Sequence, residues 1–91
     1  MITRRHYFFS GDVQGVGFRY RASYAARGLG LTGFVRNLYD GRVEMEVQGE
    51  PELIRRMLGE IDAGSFVHID DMEVETIPVV ENEKGFGVKS W

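Results

Sequence analysis

The sequence predicts a two-layer α+β sandwich in β-α-β-β-α-β order, an antiparallel sheet carrying two helices on one face. Three observations predict it. Apolar residues recur at helical spacing in two stretches, one after Phe18 and one after Pro51. Around them lie short β-rich runs, one of which, RVEMEVQG, alternates strictly between polar and apolar positions. Gly, Pro and Asp-Gly punctuation separates these runs where tight connections are needed.

The first run, RHYFFS (residues 5–10), is rich in aromatic residues and ends at Gly11, as a strand should. After the loop GDVQGVG, the residues Phe18, Ala22, Ala25, Ala26 and Leu29 form the apolar stripe of a helix that Gly28 and Gly30 stop. TGFVRN reads as the second strand. Asp40-Gly41 supplies a tight hairpin into the third, where Val43, Met45 and Val47 face one way and Glu44, Glu46 and Gln48 the other. Glu50-Pro51-Glu52 opens the second helix, because proline tolerates the first turn and acids favour its positive end. Leu53, Ile54, Met57, Leu58 and Ile61 form its apolar face, and Ala63-Gly64-Ser65 ends it. Val67, Ile69, Met72, Val74 and Thr76 mark a long strand whose parity changes at Asp70-Asp71, which indicates a bulge. GFGVKSW closes the chain as a short strand, with Phe86 and Val88 on one face, and can add an extra edge. This order is that of the ferredoxin-like sandwich. The fold hosts many functions and so decides none.

Length and charge narrow the function. Ninety-one residues make a single domain, 1–91, with no linker, low-complexity tract or internal repeat. A chain without cysteine has no disulfide or thiolate metal site and suits a reducing cytoplasm. MITRRHYFFSG lacks the apolar run of a signal peptide, and no stretch is long enough to span a bilayer. These features predict a soluble cytoplasmic protein with no membrane partner. Residues 1–42 carry seven Arg and two Asp, whereas residues 43–91 carry four Lys or Arg and twelve Asp or Glu. A glycine loop in the basic half of a chain of net charge −3 points to a small anion rather than a long polyanion. His6 and His68 are far apart and without ligand-like companions, so no metal is expected. No broad apolar stripe is left over, which favours a monomer.

Two motifs mislead. GLGLTG (28–33) matches the dinucleotide string G-x-G-x-x-G, but it follows a helix and opens a strand. Helix carbonyls rather than amides would then face a pyrophosphate, so the string reads as a helix stop and reversal. KGFGVKSW resembles the start of the RNA-recognition signature. It lies at the end of the chain in the acidic half, with Val88 where a second aromatic residue is needed, so no nucleic acid is expected.

GDVQGVGFRYR (11–21) follows a strand and precedes a helix, the geometry an anion needs. Gly15 and Gly17 can adopt positive φ and turn successive N–H groups inward as a nest. Arg19, in the first helical turn, can add a two-pronged donor. The Walker pattern is absent. By spacing alone, an anion cradle and a purely structural turn both remain open.

The same residues resemble the acylphosphatase signature, Gly-x-Val-Gln-Gly-Val-x-Phe-Arg. A second stretch, GFVRNLYDGRVE (33–44), resembles that family's other pattern at the expected separation, and length and element order agree along the whole chain. The resemblance implies hydrolysis of acyl phosphates without metal, cofactor or covalent intermediate. It implies that Arg19 binds the phosphoryl group and that Asn37 positions the attacking water. The backbone N–H groups of Gln14, Gly15, Val16, Gly17, Phe18 and Arg19 complete the cradle. Partners are then limited to a small acyl phosphate or inorganic phosphate. From the residues alone, Asn37 could equally cap the strand end or satisfy the hairpin backbone. Arg21 and Arg36 read as surface charges, and Tyr20 and Tyr24 as a helix-face packing pair. The sequence departs from the family in GSFVHIDDMEV (64–74), which has no proline, and in its last residue, Trp91. Two other classes compete: a non-catalytic anion-binding module, and an RNA-binding sandwich. The chain begins and ends with the domain and has both Arg19 and Asn37, which favours catalysis.

Overall fold

The computed structural model describes residues 1–90; Trp91 lies outside the described residues. The elements are β1 (Thr3–Asp12), α1 (Phe18–Leu29), β2 (Thr32–Asn37), β3 (Val43–Gly49), α2 (Pro51–Asp62), β4 (His68–Ile77) and β5 (Phe86–Lys89). The strands form one sheet in the order β4-β1-β3-β2-β5. This is the expected ferredoxin-like sandwich with a fifth strand added.

The first four strands pair antiparallel, but β5 lies parallel to β2, which makes the sheet mixed rather than wholly antiparallel. The register explains why. Ile77 pairs with Arg4, Arg4 with Gln48 and Gln48 with Thr32, so β4 ends at the edge of the sheet where β2 begins. Residues 78–85 cross along that edge, held by Gln48, whose side chain accepts from Val80 N–H (2.8 Å) and donates to Val80 O (2.9 Å). The crossing therefore starts β5 beside the start of β2. β1 is longer than RHYFFS suggests, because it pairs with β3 from Thr3 and its ladder with β4 carries it on past Phe9 to Asp12. Ser10 pairs with Asp71 and Gly11 with Ile69, so Asp70 is the extra residue of the expected bulge.

The helices cover one face of the sheet. Tyr7, Phe9, Met45 and Val47 meet Ile54, Met57 and Ile61 there, all fully buried. Ala22, Ala25 and Ala26 are buried too, and their small side chains let α1 sit close to its neighbours. α1 ends as GLGLTG predicts: Leu31 N–H donates to Ala26 O (2.9 Å) and Gly30 N–H to Arg27 O (3.4 Å). Gly33 is needed for close approach, since a Cβ there would lie 2.0 Å from Glu46 O. Phe86 is 4% exposed in the same core and so has no free face to stack a base. Arg21 is a half-exposed charge, but a partnered one. Its Nε and Nη2 both donate to Glu60 O (3.0 and 2.8 Å), tying α1 to the last turn of α2.

The opposite face has no helices; a lattice of charges covers it. Arg4, 3% exposed, donates to Glu46 Oε1 (2.8 Å), Gln48 Oε1 (3.1 Å) and Glu83 Oε1 (2.7 Å). Glu44 hydrogen-bonds both His6 (2.7 Å) and Arg36, so Arg36 is also a partnered charge rather than a free one. Burial pushes the Glu44 carboxyl up, but the His6 and Arg36 hydrogen bonds outweigh it and hold the group below the usual carboxylate range. Glu83 behaves in the same way, with burial opposed by Arg4 and Thr32. No helix among the described residues is long and apolar enough to cross a membrane.

Candidate active site

The site lies at the far end of the sheet, where β1, β2 and β5 all finish. The loop from β1 to α1 is pinned at both ends by buried residues, Val13 and Phe18, and the Phe18 ring packs 4.9 Å from that of Phe9 on β1. Between these anchors Gly15 (φ 72°) and Gly17 (φ 84°) take the left-handed conformation, which costs an ordinary L-residue about 1–2 kcal/mol. Gly17 is the N-cap of α1 and offers no side-chain cap. The first helical bond runs from Arg21 N–H to Gly17 O (3.0 Å), so the amides before Arg21 have no acceptor within the helix.

The loop is held against the β2–β3 hairpin by a residue whose side chain sequence reasoning left idle. Gln14 Nε2 donates to Leu38 O (2.8 Å) and to Arg42 O (2.9 Å). The hairpin closes its own turn with Leu38 N–H to Arg42 O (2.7 Å) and Asp40 carboxylate bonds to Arg42. Its polar groups are thus served without Asn37. Asn37, the last residue of β2, instead holds its Oδ1 buried, and that atom accepts no hydrogen bond among the described residues. An orphaned buried acceptor costs about 1–3 kcal/mol, so the arrangement needs a reason other than folding.

Loop, helix and strand ends enclose an open cavity of about 410 Å³. Gly15, Gly17, Phe18, Arg19 and Asn37 line it, so the structure brings most of the expected site residues onto one wall system. Gln14 and Val16 do not line it: Gln14 reaches the hairpin, and Val16 packs on the core. Ser23 and Arg27 on α1 and Val88 on β5 are further lining residues that sequence reasoning missed. The spacing Arg19, Ser23, Arg27, four residues apart on one helix, is the signal that could have found them. Tyr20 also lines the cavity, and its ring stacks on that of Tyr24 at 6.1 Å as a helix-face pair, with both residues largely exposed.

Among the described residues, two guanidinium groups and no carboxylate line the cavity, so its field is positive although the chain is acidic. Half-buried Arg19 has no ion pair or hydrogen bond among the described residues. Among those residues no group of three or more His, Cys, Asp or Glu is placed to hold a metal ion. A positive pocket walled by helix-start amides, an uncommitted arginine and an orphaned amide oxygen can hold a tetrahedral oxyanion and order a small donor beside it.

Comparison with known proteins agrees with that chemistry. The Acylphosphatase family profile matches residues 5–88. An acylphosphatase of Clostridium beijerinckii is 42% identical over 80 residues, which cover 87% of this chain and 89% of that protein. The crystal structure of acylphosphatase from Bacillus subtilis superposes with a TM-score of 0.86 at 30% identity, over 98% of this chain and 99% of that one. An acylphosphatase from Coxiella burnetii superposes at 0.84 with 35% identity, over 97% and 93%. With the profile spanning both signature stretches and the fold shared over nearly its full length, the chain belongs to the acylphosphatase family.

Proposed function

We propose that this hydrolase cleaves the carboxyl–phosphate bond of acyl phosphates, with Arg19 and the loop amides of residues 14–19 holding the phosphoryl group and Asn37 orienting the water. The observation that carries the reading is Asn37 Oδ1, a buried acceptor without a donor, set on the same cavity as Arg19 and the left-handed glycines. A water donating to that oxygen satisfies it and has its own lone pair turned toward the cavity.

The chemistry needs little more. Phosphoryl transfer depends mainly on positioning and on stabilising charge at the equatorial oxygens. Arg19 offers a forked pair of N–H donors to two of those oxygens, and the amides serve the third. The water oxygen bonds to phosphorus in line with the breaking P–O bond, whose electron pair leaves on the carboxylate. A carboxylic acid ionises near pH 4, so its anion departs without a proton donor. The Asn37 carboxamide cannot take the water proton; it passes to a phosphoryl oxygen, and the products are carboxylate and inorganic phosphate.

Release of phosphate from benzoyl phosphate, with a metal chelator present, tests the reading in wild type, Arg19→Ala and Asn37→Ala. Wild type should turn over undiminished by chelator. Each variant should lose on the order of 10²–10³ in kcat, the usual effect of removing one preorganised group. Asn37→Ala should keep most of its inhibition by phosphate, whereas Arg19→Ala should lose it. Chelator-sensitive turnover would overturn the metal-free mechanism. Phosphate binding without turnover in wild type would make the protein an anion-binding module instead. Near-normal kcat in Asn37→Ala would remove the water-orienting role.

A further inference from the structure

On the hydrolysis reading, a phosphoryl group fills only the part of the cavity at the loop, Arg19 and Asn37. The rest of the lining is Val13, the exposed ring of Tyr20, Ser23 and Arg27 on α1, and Val88 on β5. Arg19 and Arg27 stand roughly 12 Å apart along the helix axis at 1.5 Å per residue. Long side chains on a helix lean toward its N-terminus, which carries the Arg27 guanidinium back toward the cradle. Ser23 Oγ donates to Tyr20 O (3.1 Å), which uses the only proton of that hydroxyl and leaves it an acceptor. Ser23 therefore offers an anion nothing, and among the described residues Arg27 is the one cation on this part of the wall. Arg27 has no carboxylate partner among the described residues, and Val88 beside it is half-exposed and apolar. A cation two helical turns from Arg19, an apolar Val88 on the same cavity and a candidate phosphoryl cradle at the loop together describe the shape of a substrate.

We propose that Arg27 is a specificity residue, selecting acyl phosphates whose short acyl chain ends in a carboxylate. This rests on the hydrolysis reading above and adds the acyl class to it. Arg27 also sits in the last turn of α1, where any cation favours the negative helix end. That role does not distinguish one acyl chain from another, so the test is a ratio.

The experiment compares succinyl phosphate with butyryl phosphate, which has nearly the same length but a neutral end, in wild type and in Arg27→Gln, Arg27→Lys and Arg27→Glu. Wild type should favour succinyl phosphate by about tenfold in kcat/KM, the worth of one hydrogen-bonded charge pair at a partly open site. Arg27→Gln should bring the ratio near one, mainly through the KM of succinyl phosphate. Arg27→Lys should retain part of the preference and Arg27→Glu should reverse it. A wild-type ratio near one overturns the assignment, and so does a ratio that Arg27→Gln leaves intact while both substrates slow together. If butyryl phosphate is hydrolysed with dependence on Arg19 but the ratio ignores Arg27, only the acyl assignment fails. If wild type turns over neither substrate, the hydrolysis reading fails and this one with it.

Discussion

Replacing Gln14 by leucine separates the folding of the loop from its alignment with the hairpin. The carboxamide spends both of its hydrogens on the hairpin, at Leu38 O (2.8 Å) and Arg42 O (2.9 Å). Neither acceptor is orphaned by the change. Leu38 O keeps a bond from Gly41 N–H (3.3 Å), and Arg42 O keeps one from Leu38 N–H (2.7 Å). The loss is therefore two hydrogen bonds without a desolvated carbonyl, about 1–2 kcal/mol. A domain of this size shifts its thermal midpoint by roughly 4–8 °C per kcal/mol, so the drop should be about 4–16 °C. Leucine has similar volume, which keeps cavity terms out of the comparison. The catalytic effect follows from chain position: Asn37 directly precedes Leu38, so the Gln14 bonds set where Asn37 stands relative to the cradle. A displacement of about 1 Å can cost on the order of 10² in rate. At a temperature well below the new midpoint, kcat on benzoyl phosphate should fall by about 10–100-fold. Inhibition by inorganic phosphate should change little, because the loop glycines and Arg19 are untouched. A full drop in midpoint with kcat within twofold of wild type would refute the alignment role; an unchanged midpoint would refute the bond accounting.

Three further predictions come from the same geometry. Asn37→Ala removes a buried acceptor that lacks a donor, so its thermal midpoint should match or exceed wild type while kcat collapses; a clear loss of stability would mean that the side chain serves the fold. Gly17→Ala should cost about 1–2 kcal/mol by denaturant titration. No atom lies within 4 Å of the new Cβ, so only the left-handed φ of 84° is penalised, and Gly17→Asn should cost less. Glu44 and Glu83 hold protons less tightly folded than unfolded, so the stability they contribute is complete above the ordinary carboxylate value, about 4.3, and is lost as pH falls from there through their lowered folded values. The thermal midpoint should therefore be level from pH 7 to about 5 and fall below that. Glu44→Gln should show a shallower acid limb, and an identical limb would show that Glu44 carries none of the effect.

What the sequence reveals and what it hides divide along a physical line. Features set by neighbours in the chain are legible. The alternation of RVEMEVQG, the alanine stripe of α1 and the proline at the start of α2 each follow from local periodicity or capping. The bulge at Asp70 is legible for the same reason, because one extra residue inverts the alternation on either side. The cradle is legible as glycines between a strand and a helix. Features set by where distant segments land are not. The parallel pairing of β5 depends on the edge along which residues 78–85 cross, and no pattern within GFGVKSW encodes that. The bonds of Gln14 to Leu38 and Arg42 and of Arg21 to Glu60 join residues 24 to 39 positions apart, and a glutamine or an arginine in isolation has no preferred partner.

Arginine is where this matters most, because residue type alone treats all seven of them in the first half of the chain alike. The structure sorts six of the seven by whether their charge is matched. Arg4 is bound by Glu46 and Glu83, Arg36 by Glu44, Arg42 by Asp40, and Arg21 by the carbonyl of Glu60. These bonds cover the helix-free face, fasten the hairpin and join the helices, and each leaves its cation satisfied. Arg19 and Arg27 line the cavity without a carboxylate partner among the described residues, and Asn37 Oδ1 beside Arg19 lacks a donor. A fold that pairs Arg4, Arg36 and Arg42 with carboxylates, yet concentrates two unpaired arginines and an unmatched acceptor in one cavity, has there a complementarity to something other than itself. On the proposed reading the donors take the phosphoryl anion and the acceptor takes the attacking water. An acyl phosphate undergoing hydrolysis supplies both in adjacent positions.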